Sequence, residues 1–187
     1  RRVHKSGSTP HFADDEGTLY FRSYGDQKSQ LSSIDLETRE VRVHGESSMG
    51  GQFRVSHDGN WVTFVEEHNV YVRAFPPTGR AVPTAPKPKG IPQVRVSKNA
   101  GISAHFANGK VHWMLGPQLF SASLDRIFQT GEDGFDADEV SGVDLGVRQR
   151  ADAHNGTIAL VGGRIVTMKG DQIIEGGTII WTGTRIS

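Results

Sequence analysis

Apolar residues along the chain fall in short runs broken by polar, glycine-bearing turns, a pattern that predicts many short strands rather than helices. The runs "TLYFRSY", "WVTFVEE" and "KVHWML" are rich in β-branched and aromatic residues, which suit a pleated, half-buried surface. Each follows a glycine, Gly17, Gly59 or Gly109, able to take the positive φ of a tight turn. A third strand is predicted after each, in "SQLSSIDLE", "NVYVRAF" and "QLFSASLD", and a fourth begins at "EVRVHG" and "QVRVSK".

These strands recur. The segments "RVHKSGSTPHFADDEGTLYF", "RVHGESSMGGQFRVSHDGNWVTF" and "RVSKNAGISAHFANGKVHW" align as Arg-Val, polar turn, Phe, glycine turn and apolar strand. The aligned phenylalanines are Phe12, Phe53 and Phe106, at intervals of 41 and 53 residues. That is the repeat length of a four-stranded propeller blade with one insertion. The insertion is "FPPTGRAVPTAPKPKGIPQ", whose five prolines between Pro76 and Pro88, with Pro92 beyond, block helix and interior strand and predict an exposed loop or edge. Four short antiparallel strands cannot bury both faces alone, and radial stacking of such units solves that problem. Three blades do not close a ring, since about four is the usual minimum, so these three are expected to belong to a longer array.

The turns "FADDEGTLYF" and "FRVSHDGNWVTF", each followed by a strand like "NVYVRAF", resemble the TolB-like (WD40-like) propeller repeat, whose usual form is Phe-Ser-Pro-Asp-Gly before an apolar strand. The resemblance covers roughly residues 1–128 and speaks to architecture more than to function. The third copy departs from it: in "FANGKVHW", Asn108 stands before Gly109 and the Asp is missing.

Composition narrows the partners. Lys plus Arg and Asp plus Glu each count 21, so no broad field draws in nucleic acid or an anionic membrane. No apolar run approaches the roughly 20 residues that span a bilayer. With no cysteine, disulfides and thiolate metal sites are excluded. The opening "RRVHKSGSTP" has neither an initiator Met nor an apolar signal core, and the chain reads as a piece of a longer protein.

From about residue 140 the rhythm changes. "EVSGVDLGVRQRADAHNG" lacks the Phe-Gly signature and ends in Asn155-Gly156, a linker or hairpin signal. "TIALVGGRIVTM" and "GTIIWTGTRIS" then predict two strands, with "DQIIEGG" between them supplying a further short strand and a turn at Gly176-Gly177. Such a small sheet is marginal alone and wants a partner. The run Arg164-Ile165-Val166-Thr167-Met168, the Gly170-Asp171 turn, Ile174-Glu175-Gly176-Gly177 and Thr184-Arg185-Ile186 resemble the start of amidohydrolase-superfamily enzymes. In that family a small β-sandwich precedes a metal-binding (β/α)8 barrel whose first strand ends in His-x-His, and nothing here reaches that motif.

The residues present offer little chemistry of their own. The eight histidines stand in neither His-x-His nor His-Glu-x-x-His spacing, so no short-range metal motif is present. His11 and His105 each precede a repeat phenylalanine, with Gln52 at the matching place in the second copy. These three are the candidate binding residues, facing a channel or packing between blades; the plainer reading is structural hydrogen bonding. "GEDGFDADEV" gathers Asp133, Asp136, Asp138 and Glu139 but lacks EF-hand spacing, and reads as a solvated acidic loop. Arg80, Lys87, Lys89, Arg95 and Lys98 are interrupted by prolines without an aromatic platform, as in a soluble loop. Ser47 and Ser48 in "GESSMGG" do not meet the nucleophile-elbow pattern. "VGGRIVTMKG" has neither a dinucleotide nor a Walker pattern.

The resulting expectation is an all-β chain: a partial β-propeller of about three four-stranded blades over residues 1–139, a linker over 140–156 and the start of a β-sandwich over 157–187. The two resemblances in this order imply a bacterial, metal-dependent amidohydrolase-like enzyme that hydrolyses C–N bonds, of periplasmic or secreted location. They imply a divalent, zinc-like metal in a barrel outside this sequence, with no catalytic residue, metal ligand or cofactor in the chain itself. Its partners would be the remainder of its own polypeptide and a peptide-like substrate or protein. The alternative is a non-enzymatic TolB-like binding module. A prolyl-oligopeptidase-type peptidase ranks last, since it needs an α/β-hydrolase start in place of "ALVGGRIVTMKGD".

Overall fold

The computed structural model describes residues 3–85, 87, 89–129, 134–150 and 156–186, and they form an all-β protein. The first sheet runs β1 (Ser8–Phe12), β2 (Thr18–Gly25), β3 (Lys28–Asp35) and β4 (Val41–Ser47), each strand antiparallel to the last. The second runs β5 (Gly50–Val55), β6 (Trp61–Glu66) and β7 (Asn69–Ala74). The chain then crosses back as β8 (Val82–Pro83), parallel to β4 at the edge of the first sheet, before β9 (Gln93–Arg95) completes the second. The third consists of β10 (Ile102–Ala107), β11 (Lys110–Leu115), β12 (Gln118–Ser123) and β13 (Val143–Asp144), the last lying inside the 140–156 segment. A fourth sheet is a meander of β14 (Thr157–Val166), β15 (Ile173–Thr182) and β16 (Arg185–Ile186). None of these sheets closes into a barrel.

The hairpins follow from local chemistry. Asp15 accepts from the Gly17 N–H at 2.7 Å and the Thr18 hydroxyl at 2.7 Å. Asp58 accepts from the Ser56 hydroxyl at 2.5 Å and the Asn60 N–H at 3.1 Å. These are the turns in which an acidic side chain replaces a backbone partner. At the third copy, Asn108 and Gly109 sit at φ 50° and 70° between the paired Ala107 and Lys110, a two-residue turn that suits the right-handed twist of the strands.

Successive sheets pack face to face, and that is where the core lies. Leu31, Phe53, Val55, Val62 and Phe64 form a buried cluster between the first and second sheets. Val70, Val72, Val96, Val111 and Trp113 belong to a second cluster, between the second and third sheets. The strand predicted through Asp125 ends instead at Ser123. It gives way to the single helical turn α1 (Leu124–Ile127), which drops Ile127 into the second cluster.

The proline-rich insertion supplies the edge strand β8, and next to it Thr84 is 2 % exposed with its hydroxyl on Glu66. Two further expectations are corrected. The Gly176-Gly177 pair makes no turn, since β15 runs straight through it; Gly176 takes φ 63° beside a register irregularity opposite β14, as in a bulge. "DQIIEGG" therefore adds no strand of its own. The repeat alignment at Phe53 also shifts by two residues, as the bulges described below require.

The chain divides into two compact units, Arg1–Gly146 and Val147–Ser187. Within the second, no described residue is buried, and Leu160, Val161, Ile173, Ile174 and Ile180 remain exposed.

Candidate functional site

The first strands of the three sheets in the larger unit carry the sequence candidates, and each strand contains a bulge at the same place. Two residues go unpaired between Ser8 and His11, between Gly51 and Arg54, and between Ile102 and His105. The first unpaired residue takes a left-handed conformation each time: Thr9 at φ 52°, Gln52 at 54° and Ser103 at 56°. This register makes Thr9, Gln52 and Ser103 equivalent, and places Arg54, rather than Gln52, where His11 and His105 stand. Phe12 and Phe106 correspond to Val55 instead of Phe53. The extra residue in each bulge re-aims the side chains that follow.

These residues join neighbouring sheets. The His11 Nδ1 lies 3.2 Å from the Thr9 carbonyl oxygen, which can only accept, so Nδ1 carries the proton. Its Nε2 is then free to accept the Val55 backbone N–H of the second sheet at 3.0 Å. Arg54 reaches back and donates to the Thr9 carbonyl at 3.0 Å. Burial pushes the His11 imidazole below its usual range against the bond to Thr9, with Arg54 adding to the depression, which suits a neutral acceptor. The Gln52 Oε1 accepts the Ser103 N–H of the third sheet at 2.7 Å. His105 repeats the local arrangement of His11: its Nδ1 lies 3.0 Å from the Ser103 carbonyl, and its ring stacks on His112 at 5.4 Å. His11 and Gln52 thus act as links between sheets, and no hydrogen bond joins any two of the three candidates among the described residues.

A second constellation escapes the sequence. Tyr20, Ser33 and Arg42 sit directly opposite one another on β2, β3 and β4, so they share one face. The ladder of β3 and β4 slips between Ser32–Val43 and Leu31–Gly45, leaving His44 as the extra residue. Bulging brings His44 to Ser33, whose hydroxyl oxygen is hydrogen-bonded to Nε2 at 2.7 Å. Tyr20, His44 and Phe75 then close into a cluster of rings with centroids 5.3–6.1 Å apart. These side chains line an open cavity of about 380 Å³, with Arg42, Glu40 and Thr78 at its polar margin. Burial, helped by Arg42, lowers the His44 pKa to about 4, so the ring is neutral at pH 7. Such an imidazole accepts a hydrogen bond well but is too weak a base to activate Ser33 for hydrolysis at neutral pH. Only the pairing register reveals the cavity, because most of its residues come from separate strands of the first sheet and follow an ordinary strand pattern.

A buried polar knot fixes the insertion beneath this region. The Glu66 carboxylate accepts from the Ser47 hydroxyl and, at 2.6 Å, from Thr84. Arg73 is 2 % exposed, donates to the Pro83 carbonyl at 3.1 Å and lies 5.4 Å from the Phe64 ring centre. Its guanidinium pKa is lowered by burial to about 10. Ser47 is therefore a structural donor, not a nucleophile.

The remaining candidates are held by ordinary surface contacts. In the acidic loop Asp136 accepts from the Asp138 N–H at 2.8 Å, and Glu139 pairs with Arg126 at 2.6 Å, both solvent-exposed; Asp133 lies outside the described residues. Lys98 stands 3.9 Å from Asp138. Among the described residues no group of three or more His, Cys, Asp or Glu side chains could hold a metal ion. No described helix is long and apolar enough to cross a membrane. No protein-family model matches the chain, and neither does any curated protein.

Proposed function

We propose that this chain is the propeller and sandwich portion of a metal-dependent, amidohydrolase-like hydrolase that acts on C–N bonds. Sheets one to three are read as blades of a TolB-like propeller, and β14–β16 as the first layer of the β-sandwich that precedes a barrel. The observation that carries this reading is the pairing of two unlike units in one chain. A run of interlocked four-stranded meanders is followed by a meander that exposes Leu160, Ile174 and Ile180. A single layer of this kind buries too little to offset the entropy of ordering it, whereas a sandwich layer acquires its core from the layer facing it. In the reading proposed, the barrel's metal would polarise the scissile carbonyl and supply an activated water. The part played by the residues of this chain is to restrict access, select substrate or hold the assembly.

The cavity formed by Tyr20, Ser33, His44 and Phe75 favours a second reading, a non-enzymatic binding module. One experiment separates the two. The natural protein is assayed on a panel of N-acyl amino acids and dipeptides, after chelator dialysis and again after zinc is restored. The hydrolase reading expects turnover that chelation abolishes and zinc recovers. No turnover by the metal-loaded protein contradicts it and leaves the binding module.

A further inference from the structure

In the larger unit a side-chain acceptor joins each sheet to the next, from a different place in the strand at each interface. From the first sheet to the second, the His11 Nε2 accepts the Val55 N–H; from the second to the third, the Gln52 Oε1 accepts the Ser103 N–H. In both cases a side chain at or just after the bulge of one first strand caps a backbone donor on the next. That donor faces away from the pairing partner of its own strand and would otherwise be left unsatisfied at a sheet-to-sheet contact.

The third sheet repeats the device without a recipient. His105 occupies the place of His11, two residues after a left-handed bulge residue, and its Nδ1 is likewise engaged by the carbonyl of that residue. The proton is thereby fixed on Nδ1, and Nε2 is presented as an acceptor that meets no donor among the described residues. Its ring is held in place by stacking on His112.

We propose that His105 is a docking point for a further bulged four-stranded sheet, whose first strand gives a backbone N–H to its Nε2. Continuity with the interface between the first and second sheets selects this occupant: the acceptor histidine, the bulge before it and the strand that carries it recur in the third sheet, whereas the second sheet has Arg54 at that place and links through Gln52 in the bulge itself. The opposite side of the series behaves as this scheme requires. Val55, covered by the first sheet, is 6 % exposed, while Phe12, at the equivalent place in a sheet with no predecessor in this chain, is 48 % exposed. The inference rests on the blade part of the reading above and not on hydrolysis.

The test is the exchange of histidine C2 hydrogens with deuterated solvent, followed by mass spectrometry across a pH series on the full natural protein. His105 is expected to exchange as slowly as His11, while solvent-exposed His68 exchanges fast. His105→Gln, which keeps an acceptor as Gln52 does, should retain amide protection in β10, and His105→Leu should lose it. If His105→Leu does not fold, the wild-type histidine measurement decides alone. Exchange of His105 as fast as that of His68 overturns the proposal. Slow exchange that depends on protein concentration and accompanies a doubled mass also overturns it, by identifying a second copy as the occupant. Loss of hydrolase activity has no bearing on any of these outcomes, so the two readings fail separately.

Discussion

At the scale of single residues, neutral imidazoles do the joining. His44 is unprotonated in the folded chain down to a pKa of about 4, against 6.5 for a free side chain. Between those values the unfolded state takes up a proton that the folded state refuses, so stability falls as the solution is acidified. The contribution is whole above about pH 6.5, is lost as pH drops towards 4, and levels off below. Allowing for solvent screening at an open site, it amounts to about 2 kcal/mol. Thermal melts over this range should show a shallower pH dependence for His44→Gln, which keeps an acceptor for Ser33 without titrating. His11 leans the same way. His11→Leu strands the buried Val55 N–H and should cost about 1–3 kcal/mol in urea unfolding, with His11→Gln closer to wild type. Glu66→Ala removes the acceptor shared by Ser47 and Thr84, and an expected loss of about 2–4 kcal/mol would appear in the same measurement.

Among elements, the hairpins are legible and the packing faces only partly so. Gly17, Gly59 and Gly109 mark the β1–β2, β5–β6 and β10–β11 turns because each stands where a two-strand unit must reverse, with apolar alternation on both sides. Phe53 misleads for a physical reason. All three first strands share one bulge, and in the second repeat the phenylalanine stands within it, so that Phe53 fills the core from the place held by Pro10 and Ala104 in the other two. The register is common to the three strands, and only the place of the phenylalanine within it differs. His44 is hidden for the same cause, since a bulge in β4 and not a motif brings it to Ser33. Gly176-Gly177 reads as a turn because paired glycines usually break strands, yet Gly177 lies opposite Gly163, and the strand continues through the register irregularity beside them. The close approach at Gly50 is a sharper requirement: a Cβ there would stand 2.1 Å from the Val65 carbonyl oxygen, a backbone atom with nowhere to go. Gly50→Ala should disrupt the β5–β6 pairing, seen as lost amide protection at Val65 and Glu66. Trp113→Ala, by contrast, empties the cluster between the second and third sheets without touching the ladder, and should cost about 3–5 kcal/mol.

At the scale of the whole molecule, the two units differ in how they are stabilised. Residues up to Gly146 bury two apolar clusters between successive sheets, while the unit from Val147 onward rests on backbone pairing and exposed contacts such as Arg164–Glu175 at 3.0 Å. Amides of β14 and β15 should therefore exchange well ahead of those in β6 and β11 in this chain, because local opening there exposes little apolar surface. The all-β class and the repeat are legible from the strand and turn pattern. Links such as His11 to Val55 are not, because they depend on which sheet faces which. The proposal that these sheets and this meander belong to a larger metal hydrolase is tested most directly by native mass spectrometry of the natural protein. A hydrolase of that kind would have a mass well above the 20.4 kDa of this chain, with one or two divalent metal ions bound. A metal-free species of 20.4 kDa would contradict it.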